Sequence, residues 1–236
     1  MAASLPPLVV STLSEDCYQT LRRAILDLDL APGTPLIEGQ VAAQLGISKT
    51  PVREALARLS SEGLVISEPG RRTRVAGLSA QTVHEVYQVR LMLEPAAIRR
   101  VAGRLTEQEL ARLEQLIADA STALEREDLP AFTAAGHEFH TFLIECTKNA
   151  RLLSIINELF DQVRRVRAAI YRTEQGAQHH ALSQQGIDNH RCILDALADR
   201  NADRSEELMA ADIQTFLDLF DTPVIRAAVD SLDSPG

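Results

Sequence analysis

The stretch Gly46-Ile47-Ser48-Lys49-Thr50-Pro51-Val52-Arg53-Glu54-Ala55-Leu56 decides the fold of the N-terminal third. A glycine suits the end of a helix, so Gly46 closes a short helix expected at about 38–45. Ser48 can cap the next helix, and Pro51 stands in its first turn, where a missing N–H costs nothing. That helix is expected to run to about Glu62, with Gly63 as its stop. Val52, Ala55, Leu56 and Leu59, then Leu64, share one apolar face. Ser48, Lys49, Thr50 and Arg53 form the polar front of the same helix. Two short helices at a tight turn make a helix-turn-helix, whose second helix offers its N-terminal residues to base edges. Lys and Arg can donate to guanine, while Ser and Thr can hold a phosphate or a base edge.

Downstream, Leu64–Ser67 and Arg74–Ala76 are β-prone and flank Pro69-Gly70, so a small hairpin is expected. Arg71, Arg72 and Arg74 crowd it and fit a cationic wing tip on phosphate or in the minor groove. Upstream, Cys17, Leu21, Ala24, Ile25 and Leu28 recur at helical steps, with Ser14 as the expected cap and Pro32-Gly33 as breakers. Residues 1–13, with Pro6 and Pro7, are read as a loose arm. The expectation for 14–77 is a winged helix-turn-helix. Taken singly, Lys49, Arg53 and the Arg cluster would be ordinary solvated charges. The ordered sequence of turn, helix and wing favours DNA.

The net charge of −9 speaks against nucleic acid only until it is mapped. Residues 1–78 carry eight basic and eight acidic residues, and 79–236 carry sixteen and twenty-five. A DNA reader needs a local positive surface, not a basic average. Cys17, Cys146 and Cys192 are widely spaced with no CxxC, so a reducing cytoplasm is expected. No apolar run approaches a membrane span, and no secretory leader is read at the N-terminus.

From Ser79 onward the pattern is helical throughout, with helices expected at about 80–103, 106–126, 129–148, 150–173, 180–200 and 203–221. Thr106, Asp128-Leu129-Pro130, Asn149, Gly176 and Asn201 mark the breaks. Residues 80–221 therefore read as a helical domain, and 222–236 as a tail. His179-His180 is placed in an exposed loop. His140 shares an apolar face with Phe132, Gly136, Leu143 and Ile144. His190 lies with Ile187, Ile193, Leu194 and Leu197, and Asp212 stands between Leu208 and Phe216. Two imidazoles and a carboxylate, each aimed inward, can satisfy one another through a divalent metal. They can equally form a hydrogen-bonded core, and both readings stay open. Arg90 points partly inward and can face an anionic effector or pair with Glu94 one turn on. Arg165, in the crowded Arg164–Arg167 run, and Tyr171 are further effector-binding candidates.

Ser48–Leu56, with Arg58-Leu59 and Glu62-Gly63-Leu64, resembles the GntR family of bacterial repressors over about residues 14–77. The resemblance implies operator-base contacts from Lys49 and Arg53 and a wing in the minor groove. The family more often has Arg at Lys49, often an Arg at Gly39, and often Arg-Gly at Arg71-Arg72. His84–Pro95, Phe139-His140, Lys148-Asn149 and His190 are similar to the FadR-type ligand domain, the FCD domain. That similarity implies an antiparallel bundle of six or seven helices, a homodimer, and a cavity for a small organic acid. Many relatives hold a divalent metal through one Asp and three His. Here the Asp position is Gly136, His140 and His190 match, and the last His is Asp212. Zn²⁺, Ni²⁺ or Mn²⁺ held by His140, His190 and Asp212 is the metal expectation, with His137 as a substitute ligand.

The reading is a mainly α, ligand-responsive DNA-binding regulator, a repressor that dimerises on a near-palindromic operator. Two alternatives stand beside it. A helical metalloenzyme could use His140, His190 and Asp212, but Glu138 lies on the wrong face to act as base. A protein-binding winged-helix adaptor would make Arg53 irrelevant to DNA.

Overall fold

A computed structural model describes residues 12–67, 72–171, 176–220, 222 and 226. The first helix, α1 (Thr12–Leu26), buries Cys17, Tyr18, Leu21, Ile25 and Leu26, the periodic face seen in the sequence. It starts two residues before Ser14, inside the stretch read as an arm, so Ser14 is not its cap. The reason is packing: Leu13 is largely exposed, and a turn that buries nothing leaves no periodic signal. Next come α2 (Glu38–Leu45) and α3 (Lys49–Ser61). Gly46 ends α2 at φ +67°, a left-handed conformation that costs glycine little, and its N–H bonds to the Ala42 carbonyl.

Strands β1 (Val65–Ile66) and β2 (Arg74–Val75) pair antiparallel, as expected of the hairpin. The wing has a further edge beyond the two strands of the hairpin. Leu36 N–H donates to the Thr73 carbonyl at 2.8 Å, and Val75 N–H to Thr34 at 2.9 Å. The Pro32-Gly33 turn thus feeds a segment that pairs with β2 on its other side. Val52, Ala55, Leu56, Leu59, Leu64 and Val75 close this core against α1.

Residues up to Gly77 form one unit and those from Leu78 a second. The second holds six helices among its described residues: α4 (Ala80–Val101), α5 (Glu107–Glu125), α6 (Leu129–Cys146), α7 (Ala150–Tyr171), α8 (Gly176–Ala198) and α9 (Ala202–Phe220). Their starts are side-chain caps. Ser79 accepts from Thr82 N–H, Thr106 forms a capping box with Glu109, and Asp128 accepts from Ala131 N–H. Asn149 and Asn201 accept from Leu152 and Arg204 in the same way. Four of the five expected breaks are therefore caps. Gly176 is the exception, because α8 begins there and takes in His179-His180, read as a loop. A Gln- and His-rich turn without apolar periodicity carries little helical signal in sequence.

Helix α4 packs on α9, α6 and α7; α5 packs on α6 and α8; α8 packs on α9. Helices joined by short turns lie side by side and antiparallel. Among the described residues no helix is long and apolar enough to cross a membrane.

Candidate functional site

Two surfaces carry chemistry, one in each unit. In the first, Ser48 caps α3 with extended backbone, but its hydroxyl makes no capping bond. The first N–H groups of α3 and that hydroxyl are thus presented outward, where the positive helix end favours a phosphate. Lys49, Thr50 and Arg53 are exposed beside them, while Pro51, Val52 and Ala55 are buried behind.

The two basic side chains rest on the start of α2. Arg53 donates from Nε and Nη2 to the two Glu38 oxygens at 3.1 and 2.8 Å, a bidentate pair on an exposed guanidinium. The Lys49 stem passes over Gly39, where a Cβ would lie 3.5 Å from Lys49 Cε. Arg58 fastens the reading helix from behind, bonding to Glu15 at 2.7 Å and lying 3.5 Å above the Tyr18 ring. Tyr18 donates to both Glu62 oxygens at 2.8 and 3.0 Å. This α1–α3 clasp escaped the sequence reading, because Glu15 and Arg58 are 43 positions apart. Of the wing arginines, Arg72 is exposed and Arg74 is half-buried in β2 rather than at a tip. Arg71 lies outside the described residues.

The second surface is a cavity of about 80 Å³ within the helical unit. By the same measure one water needs roughly 10–15 Å³, so the space suits a small ligand. His140 on α6, His190 on α8 and Asp212 on α9 meet at its wall. The two Nε2 atoms are 3.2 Å apart, and Asp212 Oδ2 lies 3.3 Å from His140 Nε2 and 3.9 Å from His190 Nε2. A tetrahedral metal with bonds of about 2.0–2.1 Å spaces its donor atoms about 3.3 Å apart; the two sides that meet at His140 Nε2 are of that length, and the His190–Asp212 side is longer, at 3.9 Å.

Each ligand-type side chain is held from behind. His140 Nδ1 faces Glu94 Oε2 at 2.8 Å, and Arg90 Nε donates to Glu94 Oε1 at 2.5 Å. Both Arg90 and Glu94 are buried. Asn189 donates to Asp212 Oδ1 at 3.1 Å, leaving Oδ2 for the imidazoles. His190 stacks on Phe139 with centroids 4.1 Å apart.

The titration directions follow from these contacts. Burial works to raise Glu94, but the Arg90 guanidinium and His140 outweigh it and hold the carboxyl at about 2. Burial likewise opposes ionisation of Asp212, yet its bond with His140 and the neighbouring His190 keep it well below the carboxylate range. His140 is raised in spite of burial, since Glu94 and Asp212 flank it. Burial drives His190 down to about 3. A doubly protonated His140 can donate from Nδ1 to Glu94 and from Nε2 to Asp212, and a divalent cation could take the place of the Nε2 proton.

Arg90 makes the Glu94 ion pair and also lines the cavity. Arg165 is fully buried but is absent from the cavity wall, so its expected effector contact is corrected. Arg164 and Arg167 line the wall instead. The Tyr171 side chain lies outside the described residues. His137 faces the cavity and packs on Phe160 at 4.3 Å, outside the three-residue cluster. Glu138 is exposed and paired with Arg112, so no base for a metalloenzyme stands there. Glu94, which orients His140, was seen in sequence only as a partner of Arg90.

Residues 13–75 match the family of bacterial regulatory proteins described as gntR, and residues 85–215 match the FCD domain. The HTH-type transcriptional repressor RspR of Escherichia coli (strain K12) is 31% identical over 202 residues, 86% of each chain. The Nta operon transcriptional regulator of Aminobacter aminovorans is 30% identical, over 86% of this chain and 94% of its own. Among solved structures, E. coli McbR/YncC superposes with a TM-score of 0.75 at 25% identity, covering 89% of this chain and 97% of that one.

Proposed function

The chain belongs to the gntR family of bacterial regulatory proteins and carries its FCD domain; on that premise we propose that it is a repressor released from DNA by a small organic acid bound beside a divalent metal. The family and its relatives are transcription regulators that bind DNA, and not enzymes. The finer reading assigns operator-base contacts to Lys49 and Arg53, and phosphate contacts to Ser48, Thr50 and the wing. Two copies of the chain would place two reading helices on the halves of a near-palindromic operator.

The single observation that supports the metal is the donor triangle with a carboxylate behind it. Glu94 accepting from His140 Nδ1 would fix the tautomer that turns the Nε2 lone pair to the cluster, the arrangement by which ligating histidines are oriented. His140, His190 and Asp212 would hold Zn²⁺, Ni²⁺ or Mn²⁺, which when bound supplies an electrophilic centre for an effector carboxylate. The chain's own part is to orient those donors and to exclude water with Phe132, Phe160 and Ile187 on the cavity wall. Effector binding then changes DNA affinity by biasing how the two readers are held.

The test combines metal content with operator binding of the full chain. One metal per chain, lost in His190→Ala, is the expected result. Arg53→Ala should weaken DNA binding about tenfold or more, with metal content unchanged. Purified protein that takes up no Zn²⁺, Ni²⁺ or Mn²⁺ and shows no thermal shift with them would remove the metal from this reading. An Arg53→Ala variant with undiminished affinity would remove the DNA-contact assignment.

A further inference from the structure

We infer that Tyr87 and Thr133 form a second polar subsite in the cavity, which selects an oxygen-rich acid over an acid with an apolar tail. The inference rests on the effector reading above and names its ligand more narrowly. Tyr87 is fully buried on α4 and lines the cavity, and no group of the protein accepts its hydroxyl proton. Arg167 acts on the phenol, but a guanidinium has only donors to offer. The phenol proton therefore has no acceptor in the protein. Thr133 Oγ1, on α6 one turn before His137, is also buried, faces the same cavity, and has no partner. A helical threonine ordinarily returns its proton to a carbonyl of the preceding turn, and this one does not.

Buried hydroxyl protons without an acceptor are rare in native interiors, because each gives up a hydrogen bond to water and gains none in its place. Two on one small cavity mark where an occupant supplies acceptor oxygens. The wall around Tyr87 is cationic and flat. Its ring stacks on Phe216 at 5.1 Å and 6°, and Arg167 lies 4.6 Å over the other aromatic, Phe216. Arg90 is already matched by Glu94, whereas Arg167 lies on the cavity wall over Phe216. A metal on the donor triangle would hold one carboxylate, while Tyr87, Thr133 and Arg167, on the wall of the same cavity, would receive a second oxygen function. An aliphatic tail would leave both hydroxyls unsatisfied.

The experiment compares butyrate, succinate and tartrate, four-carbon acids of rising oxygen content, by calorimetric titration of the full chain with and without Zn²⁺. Succinate and tartrate are expected to bind at least about tenfold more tightly than butyrate, the scale of one good hydrogen bond to a charged group. In the Tyr87→Phe/Thr133→Val variant that preference should collapse to within about twofold, with butyrate affinity unchanged. The melting temperature of the ligand-free Tyr87→Phe protein should change by no more than a few degrees, because the phenol donates to no protein group and only its contact with Arg167 is lost. A fall of several degrees would show that the hydroxyl is bonded within the protein and would overturn the inference. So would an unchanged preference in the double variant, or no binding of any of the three acids to wild type. Failure of the wild type to bind Zn²⁺ would count against the metal reading alone, since the three acids are also compared without metal.

Discussion

Replacing Glu94 by glutamine isolates the one group that joins the cation of α4 to the imidazole cluster. Glu94 is 1% exposed, accepts from Arg90 at 2.5 Å, and faces His140 Nδ1 at 2.8 Å. Glutamine keeps the shape but removes the charge, and its single carbonyl can serve only one of the two donors. The Arg90 guanidinium is then buried without a counter-charge, a change that costs about 3–5 kcal/mol. For a unit of this size about 1 kcal/mol moves the melting temperature by roughly 2–4 °C, so a loss of about 6–20 °C is expected. The same change frees the His140 ring, and a lost orienting carboxylate costs about 10–100-fold in metal affinity. Calorimetric melting and competition with a chelator read the two effects separately. The double variant Arg90→Met/Glu94→Gln should recover most of the stability, since neither charge remains, while metal affinity stays low. A destabilisation under about 1 kcal/mol for Glu94→Gln, with metal affinity within twofold of wild type, would refute this account of the cluster.

Two further outcomes follow from particular contacts. A Cβ at Gly136 would meet His190 Cε1 at 3.8 Å, an ordinary contact, so a side chain can start there and Gly136→Asp places a carboxyl beside His190. It should lower the melting temperature in chelator, beside Asp212, and raise it in Zn²⁺; equal shifts in both conditions would count against a metal at this place. Burial and Glu62 push the Tyr18 phenol up to about 12. A raised pKa of this kind stabilises the fold below the unfolded value near 10, and the contribution is lost as pH rises from about 10 to 12. Tyr18→Phe should therefore flatten the alkaline limb of a stability profile of the first unit, and an unchanged limb would contradict the Tyr18–Glu62 bond.

Much of this protein was legible in the order of its residues. Helix ends are local events, so Gly46, Ser48, Thr106, Asp128, Asn149 and Asn201 announce them without any partner from afar. Burial is periodic along a single helix, so the inward faces holding His140, His190 and Asp212 could be read from spacing. What spacing cannot give is which groups on different helices meet. The Nε2–Nε2 approach of 3.2 Å between residues 50 positions apart is set by how α6 and α8 are rotated and packed. The same holds for Glu94 behind His140, for Arg58 between Glu15 and Tyr18, and for the Thr34–Leu36 edge on β2. The arginines of α7 show the boundary between the two. Arg164 and Arg167 are three residues apart and share a face, whereas Arg165 is turned by about 100°. Helical geometry alone separates Arg165 from that pair. Only the packing of α7 against α4 and α6 decided that the pair faces the cavity and that Arg165 does not.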